Sequence, residues 1–419
     1  MLKQREYVRK RKDFIEKIID IIENSEDYKT FIDINKQYKR LIENNNQCSL
    51  WGITFFEVYD NKQLNVLIKG LSKIDKSKYK VDLYYGAKKF KDLNYLGLAY
   101  DRTGSSRLAE IELIDDQFIR SIEASFAQIN NNQAIVVYEI HFNKIMDNEM
   151  LFVFVKNNQD ILYKKHYIVW YNLDRIIATK EFSDINRMFH ELATSVFQAK
   201  LMEVVNLSFG NLYKLPSCKI INYPEGLYTQ DSLRNIFLCT TLEINDGEQY
   251  LIIDNVDQGL ELELLFSGSS YRPISFSHLI SLYRMNFYYF LFESIDQNEL
   301  NQKMNKYFNE TKKNITARDY KWLVNKIRAI NDNKLHMGYD NPYEKALEGW
   351  KAFDNGIERK IEFSDNYFTK KYLTIYSECL EHIKILFALQ KENLIITIAS
   401  WTLGVSILGI ITTIYTAAK

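Results

Sequence analysis

Two short segments combine glycine, serine and arginine, the residue types that bind phosphate groups. Residues 101–107 (DRTGSSR) follow an apolar stretch, and residues 267–272 (SGSSYR) follow a predicted strand. Small residues let backbone N–H groups approach an anion, serine hydroxyls add donors, and arginine binds phosphate through two parallel hydrogen bonds. We therefore predict a site for a small, nucleotide-like anion, with ordinary polar turns as the alternative. The predicted ligand-binding residues are Arg102, Thr103, Gly104, Ser105, Ser106, Arg107, Ser267, Gly268, Ser269, Ser270 and Arg272.

Motifs for catalysis or metal binding are absent from the sequence. It contains no GxxxxGK[ST], GxGxxG, GxSxG or CxxC pattern. His190 begins an HExxH-like segment, but Thr194 stands where the second zinc-binding histidine is required, which excludes a zinc protease. The four cysteines are far apart, so neither a zinc site nor a disulfide framework is predicted. We assign no catalytic residue, no metal site and no required cofactor. The sequence leaves open whether the chain is an enzyme and favours a channel or membrane effector.

A run of 25 residues without a charge, 394–418, is the strongest pattern in the sequence. As a helix it would span roughly 37 Å, against about 30 Å for the hydrocarbon core of a bilayer. We predict a single C-terminal transmembrane helix that anchors the chain by its tail, followed only by Lys419. Lysines upstream of the span favour the cytoplasm for the bulk of the chain.

Small and polar residues within this span recur at alternating intervals of three and four. In lipid, a helix face of small and polar residues packs against a neighbouring helix or lines a water-filled pathway. The mean period of 3.5 residues implies a left-handed supercoil. The same spacing of three and four continues upstream of the span and includes three glutamates. In a ring of subunits, each glutamate would form a ring of carboxylates, which attracts cations. The stripe is Ala399, Thr402, Ser406, Gly409, Thr413 and Thr416, and the acidic mouth is Glu378, Glu381 and Glu392.

The elements that would position these residues form an α+β region with mixed or antiparallel sheets. Three segments rich in β-branched and aromatic residues are predicted to form strands: 134–143, 150–155 and 161–173. Two segments are predicted to form helices: 115–129 and 183–207. A second β set follows at 236–244, 249–254 and 261–266, and everything from 275 onward is predicted to be helical. The predicted segments are an α/β domain over 1–200, a β-rich segment over 201–275, a helical region over 276–363, a stalk helix over 364–393 and the transmembrane helix.

Overall charge restricts the partners of the chain. Lys plus Arg and Asp plus Glu both number 54 among 419 residues, so the net charge is zero. Proteins dedicated to DNA or RNA are usually basic, and stable nucleic-acid binding is therefore not predicted.

A long stalk helix that enters a C-terminal span below an α/β region resembles the CorA family of pentameric divalent-cation channels. The resemblance covers residues 276–419, and most closely 364–418, but the chain has one clear span and no Gly-Met-Asn signature. It implies a homo-oligomer, a pentamer if CorA-like, in a bacterial inner membrane, with a divalent cation only if transport is retained. Divergent CorA-like proteins without this signature occur beside type III CRISPR systems and other antiphage loci. The resemblance to them implies a soluble part that senses a nucleotide messenger.

The sequence thus favours a membrane-anchored signalling effector. A nucleotide-like ligand would bind the cytoplasmic region, and the span would open or disturb the bilayer. The alternative is a soluble enzyme, a nuclease or nucleotide-modifying domain, tethered by its tail.

Overall fold

The computed structural model describes part of the chain. It covers 49–84, 106–129, 133–146, 148–164, 182–205, 215–223, 242–246, 249–254, 261–267, 351–354, 357–359 and 394–407, with scattered helical positions within 12–24, 291–295, 321–324 and 381–392. The chain divides into two compact units. The first is Met1–Asn298 with Pro342–Ile361, and the second is Glu299–Asn341 with Glu362–Lys419.

An eleven-stranded sheet dominates the first unit, in the order β11-β10-β7-β8-β9-β6-β1-β5-β4-β3-β2. All neighbouring strands are antiparallel except β6 and β9. Its strands are β1 (Ser49–Asp60), β2 (Tyr79–Leu83), β3 (Ser106–Leu113), β4 (Ile119–Gln128), β5 (Gln133–Met146), β6 (Ser217–Tyr223), β7 (Leu242–Asp246), β8 (Gln249–Asp254), β9 (Glu261–Ser267), β10 (Lys351–Asp354) and β11 (Ile357–Arg359).

Three helices pack on one face of this sheet: α1 (Asn61–Leu71), α2 (Asn148–Lys164) and α3 (Phe182–Val205). Their apolar residues join alternate residues of the central strands in one core cluster. Phe154 of α2 stacks on Phe197 of α3 with ring centroids 4.2 Å apart, and meets Phe118 edge-on at 5.3 Å. The α+β class predicted from the sequence is therefore confirmed for the described part of the first unit.

Three predicted elements were assigned the wrong type. Residues 161–173 were expected to form a strand, but 161–164 are the last turn of α2, and 165–173 lie outside the described residues. Residues 115–129 were expected to be helical, but 119–128 form β4, because its apolar residues are buried on both faces of a central strand. Residues 150–155 were expected to form a strand, but they belong to α2. There Leu151, Phe154 and Val155 are buried at helical spacing while Val153 is 41% exposed.

Other predicted elements are confirmed. The strand at 134–143, the helix at 183–207 and the strands at 249–254 and 261–266 correspond to β5, α3, β8 and β9. The predicted strand at 236–244 coincides with β7 at 242–244, and 236–241 lie outside the described residues. The prediction that everything after 275 is helical is wrong, since β10 and β11 pair as a hairpin and β10 also pairs with β7. The dipeptide Asn355-Gly356 between them is a strong hairpin signal that our interpretation missed.

Candidate functional site

The two predicted ligand loops lead into or out of described strands. Ser106 and Arg107 are the first residues of β3, and Ser267 is the last residue of β9. The other predicted ligand-binding residues, at 102–105 and at 268–270 and 272, lie outside the described residues.

Strand pairing places the described ends of these loops far apart. Through β4 and β5, Ser106 is level with Glu57 of β1. Ser267 lies opposite Tyr223, one residue beyond the partner of Ser49 at the other end of β1. Positions 57 and 49 of β1 are separated by roughly 25 Å at about 3.3 Å per residue. The structure therefore does not bring Ser106 and Ser267 together.

Arg107 lies beside a carboxylate. Its Nε is 3.0 Å from Oε1 of Glu123 on β4, and its guanidinium carbon is 5.7 Å from the centre of the Tyr84 ring. An anion approaching Arg107 from this side would therefore compete with Glu123 for the guanidinium.

Four carboxylates stand directly opposite one another across four neighbouring strands. Asp82 of β2 pairs with Glu110 of β3, Glu110 with Glu123 of β4, and Glu123 with Glu139 of β5. Residues directly opposite in an antiparallel pair share a face, so these four form what we call the acidic row. It lies on the face of the sheet opposite the three helices, since the residues on either side of it along each strand belong to the core cluster. Thr54 of β1 extends the row, opposite Glu139.

The acidic row becomes more buried toward the centre of the sheet. Asp82 is exposed, Glu110 is half-buried, the Glu123 side chain is 14% exposed and Glu139 is 3% exposed. Carboxylates are seldom buried to this extent unless they are paired. The row therefore connects the edge of the sheet with a buried acidic position.

His141 lies beside the row, two residues after Glu139 on β5. Its Nε2 is 3.9 Å from Oε2 of Glu123. Burial alone would lower the pKa of His141, but the neighbouring carboxylates Glu123 and Glu139 outweigh burial and raise it. The structure thus favours the protonated imidazole.

Among the described residues on this face, two buried hydroxyl groups have no hydrogen-bond partner: Thr54 Oγ1 and Ser121 Oγ. Thr54 lies opposite Glu139, and Ser121 lies opposite His141. Because nearly all buried polar atoms are hydrogen-bonded, such groups call for an explanation, for which a ligand or a water is the usual candidate. Within the described ranges, no group of three or more His, Cys, Asp or Glu is arranged to hold a metal ion.

A second buried polar group lies on the helix-covered face. The Tyr59 hydroxyl donates to Oε2 of Glu57 at 2.7 Å and lies 3.0 Å from the Tyr138 hydroxyl. Burial, together with the nearby carboxylate, raises the pKa of both tyrosines well above the ordinary range. Both hydroxyls therefore stay protonated and act as parts of the core.

The helical stretch 394–407 contrasts with this sheet, because every residue in it is exposed. The large apolar side chains among them are 48–73% exposed, with Trp401 the most exposed. Among the described residues, we find no helix with both the length and the apolar character needed to cross a membrane. The predicted span continues to 418, and its residues 408–418 lie outside the described part.

Half of the predicted stripe is described. Ala399, Thr402 and Ser406 lie on this helix, whereas the stripe positions 409, 413 and 416 lie outside the described residues. The Thr402 hydroxyl donates to the carbonyl of Ile398, and the Ser406 hydroxyl donates to the carbonyl of Thr402, each at 2.8 Å. The hydroxyl protons of Thr402 and Ser406 are thus satisfied within the helix itself.

The predicted acidic mouth is described at two of its three positions. Glu381 pairs with Lys384, three residues on, so its charge is locally compensated. Glu392 is helical and exposed, and position 378 lies outside the described residues.

Comparisons with models of protein families, with curated proteins and with solved structures found no match.

Proposed function

We propose that this protein is a membrane-anchored, oligomeric signalling effector. In this proposal the α+β region faces the cytoplasm and senses a small anionic, nucleotide-like ligand. The C-terminal helix anchors the chain, and its movement gates or perturbs the bilayer. The observation that carries the proposal is the helix 394–407, which exposes large apolar side chains on every side.

Exposure of this kind favours an apolar environment outside the chain. Soluble monomers rarely expose contiguous apolar patches larger than a few hundred Å², and larger ones mark protein or membrane contacts. Ile396, Trp401, Leu403 and Val405 are each more than 60% exposed and point in several directions around the helix. A helix that is apolar all round is typical of a protein core or a membrane span. The sequence continues without a charge to Ala418, which favours the span.

The hydroxyls of the stripe support packing of several copies in lipid. Hydroxyl groups that donate to their own helix leave no unsatisfied proton in an apolar environment. Small residues such as Ala399 allow neighbouring helices to approach closely. The stripe is therefore the proposed surface between subunits.

A membrane-extraction experiment tests the proposal. The full chain and a variant truncated before Leu394 are expressed, and membranes are washed with alkaline carbonate, which removes peripheral proteins. We expect the full chain to stay with the membrane and the truncated chain to become soluble. A full chain that is washed off would overturn the proposal.

Oligomerisation is tested by light scattering of the detergent-solubilised full chain, with the detergent mass subtracted. We expect a closed oligomer whose flux of small ions, measured in liposomes, is lost on Thr402→Leu plus Ser406→Leu. A monomer, or hydrolytic activity that survives truncation, would instead favour a tethered enzyme.

A further inference from the structure

We propose that strand β2 binds the β2 strand of a second copy of this chain, in antiparallel orientation, with Lys80 of each copy opposite Asp82 of the other. The contact would continue the sheet of one copy into the sheet of the next. It lies in the α+β region, adds a contact between copies outside the stripe, and does not depend on the C-terminal helix or on a bound ligand.

Strand β2 forms one end of the sheet. Among the described strands it pairs with β3 alone and stands last in the strand order. Two hydrogen bonds flank this pair: the amide of Tyr84 donates to the carbonyl of Leu108, and the amide of Ile114 donates to the carbonyl of Lys78, each at 3.0 Å. Hydrogen-bonded and non-hydrogen-bonded pairs alternate along an antiparallel ladder. The even-numbered residues of β2 therefore direct their backbone groups toward β3, and the odd-numbered residues direct theirs away from it.

The odd-numbered residues of β2 offer both backbone groups and apolar side chains at this edge. The amide of Tyr79 donates to the carbonyl of Asp75 at 3.1 Å, which leaves the Tyr79 carbonyl and the backbone groups of Val81 and Leu83 directed outward. Backbone groups along a sheet edge are a template for pairing with another strand. The side chains of Tyr79, Val81 and Leu83 are only partly buried against the core cluster, so a further strand here would also cover apolar surface.

Charge complementarity identifies the partner as a second copy. Lys80 and Asp82 lie on the other face of β2 from its apolar residues, and both are exposed. In an antiparallel pair of β2 strands centred on Val81, each Lys80 stands opposite Asp82 of the other copy. Opposite charges at directly opposite positions are stabilising. These positions form the non-hydrogen-bonded pairs, in which side chains approach most closely.

The charges also favour one register. The odd-numbered residues must face one another for their backbone groups to bond, so the nearest other registers are centred on residue 80 or on residue 82. The first places Lys80 opposite Lys80, and the second places Asp82 opposite Asp82. Like charges directly opposite are destabilising, and charged residues at an edge discourage pairing with unrelated strands. Only the register centred on Val81 makes both charged pairs of β2 opposite in sign.

A second copy would also balance the outer end of the acidic row. Asp82 stands opposite Glu110 of β3, which is a pair of like charges. Lys80 of the second copy would lie on the other side of Asp82 and supply the opposite charge. Lys80 pairs with Glu112 of its own chain at 2.9 Å, but its side chain is 67% exposed and free to turn toward the neighbouring strand. The junction would then carry one ammonium group beside each Asp82.

Disulfide trapping in the full chain tests the contact and its register. A chain with Lys80→Cys is co-expressed with a tagged, heavier chain with Asp82→Cys, and the detergent-solubilised protein is oxidised with copper phenanthroline. Cα atoms of non-hydrogen-bonded pairs are about 4.5 Å apart, within the range of about 4.4–6.8 Å found in disulfides. We expect the linked heterodimer to be about fivefold more abundant than the linked homodimer of either variant expressed alone. No such excess, or an equal yield of either homodimer, would overturn the proposal.

Matched controls separate this contact from chance collisions and from the natural cysteines. Lys62→Cys and Lys69→Cys occupy exposed positions on α1, and their co-expressed chains should give no more heterodimer than the oxidised wild type. A yield equal to that of the β2 variants would overturn the proposal, because copies would then collide without a defined contact. Lys80 and Asp82 are exposed, so thermal unfolding of their variants should match the wild type.

Charge reversal tests the pairing of Lys80 with Asp82 directly, since one such pair remains in the trapped heterodimer. Adding Asp82→Lys to the Lys80→Cys chain places like charges opposite one another and should lower the heterodimer yield about threefold to tenfold. Adding Lys80→Asp to the Asp82→Cys chain as well restores opposite charges and should return the yield to within about twofold of the original. A yield that does not respond to the first change, or does not recover with the second, would overturn the proposal.

Discussion

The central strands of the sheet and the helix 394–407 differ in which side chains they bury. The strands bury polar side chains, whereas the helix exposes apolar ones. In β1, β4 and β5, the polar residues Thr54, Ser121 and Glu139 are buried among apolar neighbours. In the helix, apolar residues such as Trp401 and Val405 are exposed, while the hydroxyls turn back onto the backbone.

The helix and the sheet therefore leave different requirements unmet: an apolar environment in one case and hydrogen-bond partners in the other. The helix lacks an apolar environment, which a bilayer or neighbouring copies would supply. On the sheet face opposite the three helices, two of the described hydroxyls are buried without a hydrogen-bond partner, which is rare in folded proteins. The two regions should therefore respond differently to the same class of substitution.

The largest expected effect is the loss of an aromatic ring from the core. Phe154→Ala removes the stacking on Phe197 and the edge contact with Phe118, and should lower the free energy of unfolding by about 3–5 kcal/mol. Urea denaturation of the full chain in detergent measures it.

The matched control for this prediction is Trp401→Ala in the exposed helix. Trp401 is 73% exposed, so the unfolding of the sheet should change by less than about 0.5 kcal/mol. An equal loss in both variants would show that the helix is part of the same folded core, and the contrast would fail.

The second largest effect is expected from a charge introduced into the helix 394–407, and the property affected is membrane insertion. Leu403→Lys should weaken insertion by about 2.5–3.5 kcal/mol if this position lies near the middle of a bilayer. The measurement is the carbonate-resistant membrane fraction, with Leu403→Phe as an apolar control that should remain inserted. Retention of the lysine variant at the wild-type level would contradict the membrane proposal.

The sequence was most informative where residue type alone favours one kind of element. Strand β5 was predicted because β-branched and aromatic residues dominate it, although residues 134–140 are buried on both faces. Strand β4 was missed because both faces of it are buried, so Ile122, Phe126 and their neighbours also matched a helical period.

The acidic row was missed for a related reason. Glu110, Glu123 and Glu139 are separated by more than ten residues in the sequence and become neighbours only through strand register. Each stands as a polar residue among apolar ones within a strand, which is the signal that was available. With β4 interpreted as a helix, Glu123 could not be aligned with the other two.

A third prediction concerns the tyrosine pair on the helix-covered face of the sheet. Tyr59→Phe removes the hydroxyl that meets both Glu57 and Tyr138, and should lower the free energy of unfolding by about 1–3 kcal/mol. Tyr138→Phe leaves the bond from Tyr59 to Glu57 intact and should cost less, about 0.5–1.5 kcal/mol. Urea denaturation of both variants at pH 7 gives the order, and a larger loss in Tyr138→Phe would contradict it.

The smallest expected effect is a pH dependence at the acidic row. The pKa of His141 is raised in the folded chain, because Glu123 and Glu139 outweigh the opposing effect of burial. A raised pKa means that the folded state holds the proton more tightly than the unfolded state, whose pKa is about 6.5. The stabilisation from protonated His141 should therefore be complete below about pH 6.5. It should be lost as the pH rises through the higher folded-state pKa.

His141→Gln should remove this component and leave the pH dependence of the remaining groups unchanged. Urea midpoints of the wild type and the variant at pH 5.5 and pH 8.5 isolate it, since the wild type should lose more stability between the two values. An equal loss of stability between the two pH values in both proteins would contradict the assignment to His141.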